Sequence, residues 1–421
     1  MRPTSAEPPI APPSPPPPGA PTRTPGRAKG PVKGNGKKAL FAKQGPLGRL
    51  AAVLHLWGGL ASGLVILIVA LTGALYAFQP ELTEAFQPYL HVEQRNASFL
   101  PVSSLKSLAE KELPGKKVSR ISYAGADHSV AVSFNNKKKG YNYNVYLDPY
   151  TGTVLKVKDM DRDFFRQVLH GHMHLWLPDP VGKTIVIWAT LLFGLIIITG
   201  IIMWWPQKWS KATRRQSFSV KWDASPKRLN YDLHNVFGFY ASWIMIFVVL
   251  TGLVWGFEAV RDAEYSLFSG GKSFPEAAKL NVKKPEAALA AGRPLDAVEA
   301  QVRGRYASSA RIQYLLPAAD DAPLTVRIFP EQKRHFNADY LTFNPYTAAE
   351  IPDGARGKYA DANGGEKANR LNYDIHTGGI GGLPLRLVVF LAALVTASLP
   401  VTGFYIWWGK RKKQQKPSLK K

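Results

Sequence analysis

The sequence predicts an α-helical membrane protein with four transmembrane helices, written as a duplicated two-helix unit, and two water-exposed α+β modules. Three observations lead there. Apolar residues of the 421-residue chain gather in four blocks, about 54–78, 184–205, 236–257 and 383–408. Each block is long enough, at ~1.5 Å per residue, to cross a ~30 Å hydrocarbon layer. The blocks repeat in pairs, and a long polar stretch with strand and turn chemistry lies inside each pair.

Residues 1–48 are dominated by Pro, Gly, Ala and basic residues, as in PPSPPPPGAPTRTPGRAKG. Such a stretch has almost nothing to pack and is expected to be a disordered tail. No short apolar core with a small-residue cleavage site stands in it, so a cleavable secretory signal is not expected. The remaining chain divides into transmembrane helix 1 (49–79), a first module (80–183), helix 2 (184–206), a loop (207–233), helix 3 (234–258), a second module (259–382), helix 4 (383–408) and a basic tail (409–421).

Lys and Arg cluster before helix 1 (Lys37, Lys38, Lys43, Arg49), in the loop after helix 2 (Lys208, Lys211, Arg214, Arg215, Lys221, Lys227, Arg228) and at the C-terminus (Lys410, Arg411, Lys412, Lys413). The positive-inside rule makes these segments, and both termini, cytoplasmic and places both modules on the other side. The formal charge of +24 then reads as topology plus attraction to anionic lipid. The basic runs carry no interleaved aromatics and no nucleic-acid module, so no nucleic-acid partner is expected. The chain contains no cysteine, which excludes disulfides, thiolate metal sites and iron–sulfur clusters.

The duplication is visible when His55 is aligned with His234. HLWGGLASGLVILIVALTGALYAF runs in step with HNVFGFYASWIMIFVVLTGLVWGF, with Leu-Thr-Gly 16 to 18 residues after each histidine. TGIIMWW (199–205) parallels TGFYIWW (402–408), and a histidine stands eight residues before a proline in both halves, His170 before Pro178 and His376 before Pro384. The modules repeat as well. Each has a helical prelude (102–113; 294–306), then a strand, then a strand and turn around Asp-Pro-Tyr-Thr-Gly (148–152) or Asn-Pro-Tyr-Thr (344–347).

These motifs together, with Phe-Arg-x-x-Leu-His at 165–170 and the terminal Thr-Gly-x-x-x-Trp-Trp, resemble the PepSY-associated transmembrane family over about residues 50 to 412. The resemblance implies PepSY-like periplasmic modules and a bacterial inner-membrane location. Characterised members include reductases of ferric siderophores that carry two b-type haems, so it also implies heme b as cofactor and a ferric siderophore or other iron chelate as substrate.

The histidines support haem without the family name. An ionisable residue in or beside a membrane helix is costly enough to suggest function. His55 alone could equally be an interfacial anchor. His234 repeats it at the same depth, and two histidines facing across a bundle form a bis-imidazole pocket. The glycines that follow leave room for a flat macrocycle or for close helix packing. His170 and His376 form the expected second pair at the outer ends of helices 2 and 4. LHGHMHLW also offers His172 and His174 as alternative outer ligands. On a helix His170 and His174 share a face and His172 points away, so His170 is preferred, with His174 next. A zinc or copper site in this cluster lacks acidic neighbours.

LNYDLH (229–234) and LNYDIH (371–376) place Asp232 and Asp374 two residues before a histidine. Either each carboxylate orients an imidazole or it caps the following helix. His91, His128 and His335 are expected to be solvated surface residues. The two histidine levels should stand roughly 30 Å apart. No Gly-x-Gly-x-x-Gly follows a strand and no flavin module is evident, which implies a separate cytoplasmic electron donor. The expected activity is a di-haem ferric reductase passing electrons outward; no individual catalytic residue is legible. The alternative is a non-enzymatic PepSY-type membrane protein that regulates peptidase activity or iron uptake. A transporter is disfavoured, because the helix centres carry no charge and both halves run the same way.

Overall fold

The structure, a computed structural model, describes residues 45–415 except 207–208, 276–279, 286–291, 308–309, 332–333 and 353–355. Most of the tail expected at 1–48, Lys208, and the end of the basic tail lie outside the described residues. The helices are α1 (Pro46–Ala77), α2 (Gln79–Phe86), α3 (Val102–Glu112), α4 (Phe164–His174), α5 (Val181–Trp204), α6 (Lys211–Phe218), α7 (Pro226–Asp232), α8 (Gly238–Gly256), α9 (Glu258–Ser269), α10 (Arg293–Arg303), α11 (Gly364–Thr377) and α12 (Gly382–Gln415). The strands are β1 (Arg120–Tyr123), β2 (Val130–Asn136), β3 (Tyr141–Leu147), β4 (Val154–Asp159), β5 (Arg311–Leu315), β6 (Leu324–Phe329) and β7 (Asp339–Phe343).

Among the described residues four helical stretches are long and apolar enough to cross a membrane: Pro46–Ala77, Val181–Trp204, Pro226–Gly256 and Gly379–Arg411. They form a bundle in which α1 packs against α5 and α12, and α8 packs against the same two. Therefore α1 and α8 occupy opposite corners. The buried face of α1 carries Gly58, Ser62, Gly63, Ile66, Ala70 and Ala74, a helical stripe of mostly small residues that lets backbones approach closely. A Cβ at Gly63 would lie 3.2 Å from Pro400 of α12, and one at Gly58 3.2 Å from Leu192 of α5. Leu64, Phe247 and Leu391 point outward and are exposed, as surfaces meant for hydrocarbon are. At the end that carries the 205–233 loop, Trp204 stacks on Phe239 at 3.6 Å, with Trp209 and Phe218 around them. Such an aromatic cluster suits a membrane–water interface.

The other end carries the sheet, and here the expectation of two separate modules is corrected. All seven strands form one antiparallel sheet in the order β4-β3-β2-β1-β5-β6-β7. The halves join where β1 pairs with β5, Arg120 opposite Leu315 and Tyr123 opposite Ile312. One core lies beneath, with Ile121, Val132, Phe134, Val145, Tyr314, Val326 and Phe343 packed with Leu105 of α3 and Val298 of α10. Separate modules would each leave an unpaired edge at β1 or β5; joining them removes both. The two helices are also tied together, since Asp296 and Glu299 of α10 accept the backbone N–H groups of Ser103 and Val102 at the start of α3, at 2.9 and 3.0 Å.

The two turns solve the same problem with different residues. Asp148 accepts the N–H groups of Tyr150 and Thr151, Asn344 those of Tyr346 and Thr347. In each case the tyrosine hydroxyl then donates to a distant carbonyl, Ala126 or Asp320. Asp and Asn are interchangeable here because only a side-chain oxygen is used.

Candidate functional site

Two pairs of imidazoles face each other, one pair at each end of the bundle. His55 and His234 have ring centres 6.2 Å apart with planes at 90°. His172 and His376 have ring centres 6.3 Å apart with planes at 75°. The loop-end pair is the expected one. The sheet-end pair is not, since His172 rather than His170 stands opposite His376.

The physical reason lies in the phase of α4. Its buried residues are Phe165, Val168 and Gly171, and His172 continues that stripe, four residues after Val168 and seven after Phe165. His170 and His174 do share a face, with rings 5.2 Å apart, but it is a different one, and His174 Nε2 pairs with Asp179 at 2.7 Å. The proline spacing that favoured His170 joins unlike positions. Pro384 lies in the first turn of α12, whereas Pro178 precedes α5, which begins at Val181.

All four facing histidines are seated in one way, on a Thr-Gly dipeptide of a neighbouring helix. His55 Nδ1 lies 3.1 Å from the Ile196 carbonyl and 3.3 Å from Thr199 Oγ1 of α5. His172 Nδ1 lies 2.9 Å from the Val69 carbonyl and 3.4 Å from Thr72 Oγ1 of α1. His234 Nδ1 meets Thr402 Oγ1 of α12 at 2.9 Å, and His376 Nδ1 meets Thr251 Oγ1 of α8 at 3.0 Å. The glycine that follows each threonine makes room for the ring. A Cβ would fall 2.9 Å from the Cε1 of His172 at Gly73, 3.1 Å from that of His55 at Gly200, 3.1 Å from that of His234 at Gly403, and 3.5 Å from that of His376 at Gly252.

This seat fixes the tautomer. A carbonyl oxygen only accepts, so Nδ1 of His55 and His172 must donate. Thr402 and Thr251 have already committed their hydroxyl protons to Ser398 O and Phe247 O, so they too accept from Nδ1–H. Nε2 is left with its lone pair in all four rings, the state in which imidazole ligates a metal. At the sheet end, burial lowers the pKa of His172 and brings that of His376 down to about 4, with His172 adding to the shift. Both are therefore neutral at pH 7.

The donor set suits an iron porphyrin held between two imidazoles. A metal–nitrogen bond of about 2.0 Å plus about 1.1 Å from nitrogen to ring centre, doubled, gives about 6.2 Å, and both pairs match it. His234 sits in a wide π-helical turn, Leu233–Phe237, between α7 and α8, a distortion common at functional sites. His55 and the Thr72 seat of His172 are 17 residues apart on α1, and His234 and Thr251 are 17 apart along the third span. At 1.5 Å per residue the levels lie about 25 Å apart, closer than the expected 30 Å.

The repeated phrase has another use than either expected one. Asp232 and Asp374 are buried, and among the described residues neither pairs with His234 or His376; Asp374 Oδ1 lies instead 3.5 Å from His335 Nδ1. Asp232 accepts from Arg228 Nε at 2.8 Å and from the Lys221 N–H at 3.3 Å. Asp374 accepts the backbone N–H groups of His335 and Phe336, at 2.9 and 2.6 Å. Each carboxylate ties a passing loop to the helical segment that presents a histidine. Asn230 of the first phrase donates to the Thr402 carbonyl at 3.0 Å, bracing the seat of His234. Of the three histidines expected to be solvated surface residues, His91 is exposed and His128 and His335 are half-buried; His335 packs on Tyr373 at 4.6 Å, and His91 and His128 meet over Glu84.

The model of the family described as the PepSY-associated TM region matches residues 52–410. No curated protein matches the chain.

Proposed function

We propose that this chain, which belongs to the PepSY-associated transmembrane family, is a di-haem b ferric reductase that carries single electrons across a bacterial inner membrane to an iron chelate. One observation carries the reading: two facing imidazole pairs, each ring held by Nδ1 and each pair spaced for one metal. When bound, heme b would supply one-electron redox chemistry at each level. His55 and His234 would hold one haem at the loop end, His172 and His376 the other at the sheet end.

The protein's own residues position and insulate. The Thr-Gly seats hold each ring in one orientation, and the neutral tautomer keeps Nε2 available. Between the levels, Ile66, Phe193, Met245 and Val249 form an apolar core that keeps water out of the path. Arg214, Arg215, Arg228 and Arg411 stand at the loop end, which supports a cytoplasmic loop end with both termini beside it and a periplasmic sheet. A separate cytoplasmic donor gives up one electron, and one ferric ion outside becomes ferrous. The Thr-Gly seats recur in both halves, which supports an origin by duplication of a two-helix unit.

The test is chelate reduction in proteoliposomes with the sheet end outward and a reductant sealed inside. Wild-type protein is expected to reduce an external ferric chelate, and His234→Ala to abolish this with the donor inside. Equal reduction by His234→Ala contradicts the scheme. Protease accessibility of the sheet from the cytoplasmic side contradicts the orientation.

A further inference from the structure

A cleft of about 710 Å³ opens beneath the sheet, between β6, β7 and the helices α8, α9 and α11, the last of which carries His376. Its wall includes Arg261, Arg327, Arg356 and Arg370, with Trp255, Tyr340 and Tyr373 between them, and no carboxylate among the described residues. Two of the four guanidiniums are committed, Arg261 to Asp262 and Arg370 to Glu366. Arg327 and Arg356 form no ion pair among the described residues, and Arg327 Nε is buried with no hydrogen-bond partner. Arg311, on the neighbouring strand, has Nε and Nη2 buried and unpartnered. Burial lowers the pKa of both Arg311 and Arg327; the nearby Arg327 charge adds to the shift of Arg311, which is brought to about 10, and Arg356 and Arg370 add to that of Arg327. A buried donor without an acceptor costs about 1–3 kcal/mol, more when charged. Arg327 and Arg370 both line the cleft with a buried, unpartnered Nε, and such a surface is built for an anion.

The cleft also lies beside the redox level. Trp255 lines it and packs against His376 at 5.0 Å, and Tyr373 lines it one helical turn before His376. We propose that this cleft is the binding site for the electron acceptor, and that the acceptor is an anionic ferric chelate with oxygen donors and flat, aromatic-type surface, of the catecholate kind. Arg327 and Arg356 take its negative charge, Tyr340 and Trp255 its flat faces. The inference rests on the reductase reading for the acceptor's identity, but the binding is separable from reduction.

Gallium(III) complexes, which cannot be reduced in this way, make that separation. Titration of the full-length protein in detergent, followed by tryptophan fluorescence, is expected to show binding of the trianionic gallium tris-catecholate at least tenfold tighter than of a cationic gallium hydroxamate. Arg327→Gln and Arg356→Gln are each expected to weaken the anionic complex tenfold or more and leave the cationic one unchanged. Arg356 makes no side-chain ion pair among the described residues, so its variant keeps the test independent of folding. Equal affinity for the two complexes, unchanged affinity in both variants, or full displacement by inorganic phosphate or by phosphatidylglycerol nanodiscs at matched concentration overturns the proposal. A haem-free protein that still binds the anionic complex sinks the reductase reading alone; a red protein that does not bind it sinks this one alone.

A different cluster carries a second inference. Glu84 Oε2 lies 3.1 Å from His91 Nε2 and 3.3 Å from His128 Nε2, and His128 Nδ1 donates to Asp127 at 2.7 Å. Ligands at about 2.1 Å in a tetrahedron stand about 3.4 Å apart; the Glu84 oxygen is already close to that spacing from both nitrogens, and all three atoms lie within 4.8 Å of one another. The Asp127 carboxylate orients one imidazole as partners of metal ligands do. The geometry points to a divalent-cation site of two histidines and one carboxylate on the sheet side, open to solvent and suited to zinc or ferrous iron. Cobalt(II) titration of the full-length protein is expected to give a visible d–d band that His91→Asn and Glu84→Gln each remove while the haem spectrum stays intact. No band in the wild type, or an unchanged band in both variants, overturns it.

Discussion

His172 Nδ1 donates to the carbonyl of Val69 across 2.9 Å, one turn before the glycine that makes room for its ring. That contact turns the middle histidine of HGHMH into the bundle and opposite His376. His172→Ala is accordingly expected to remove about half of the haem and to stop chelate reduction, whereas His170→Ala keeps both near the wild-type level. Pyridine-haemochrome content of the two variants decides this. Half the haem lost with His170→Ala, and none with His172→Ala, would restore the spacing-based assignment.

The seats predict a graded series. A Cβ at Gly73 would stand 2.9 Å from His172 Cε1, below contact distance, but one at Gly252 stands 3.5 Å from His376 Cε1. Gly73→Ala is expected to lose or shift the sheet-end haem signal, and Gly252→Ala to leave it close to wild type. Reduced-state spectra measure both. The reverse order would mean that the glycines serve helix packing only.

Much of this was legible in the sequence, for physical reasons. Apolar length announces a membrane helix, so all four spans are legible, and the Asp-Pro-Tyr-Thr and Asn-Pro-Tyr-Thr turns follow from residues that make turns by themselves. Leu-Thr-Gly and Thr-Gly-x-x-x-Trp-Trp were visible as repeats, but their use as seats was not, because a seat belongs to one helix and its histidine to another. The proline spacing points to His170, whereas the Phe165–Val168 stripe of α4, equally visible in the sequence, points to His172. The β1–β5 pairing had no local signal, since edge pairing depends on two strands almost two hundred residues apart.

Asp374 supports a third prediction. It accepts two backbone N–H groups and touches no facing histidine. Asp374→Ala should leave both donors short of a partner, at about 1–3 kcal/mol each, lowering thermal stability in detergent. The haem midpoint potentials should stay at the wild-type values. A shifted potential without loss of stability would return the carboxylate to the role of orienting His376.

The joint between the halves supports a fourth. Glu299 accepts the Val102 N–H and pairs with Arg303, which lies over Phe99 and Tyr123 at 4.9 and 4.8 Å. Glu299→Ala is expected to cost about 1–3 kcal/mol and to make the sheet more sensitive to protease while the haem content holds. Loss of haem with an intact sheet would contradict this division between sheet and bundle.

The central claim is that four seated imidazoles hold two haems, and its most direct measurement is the haem content and reduced-minus-oxidised spectrum of protein purified from haem-replete cells. The account predicts a red preparation with a low-spin b-type spectrum and about two haems per chain. A colourless preparation, or a single haem that survives His234→Ala and His376→Ala alike, would contradict it.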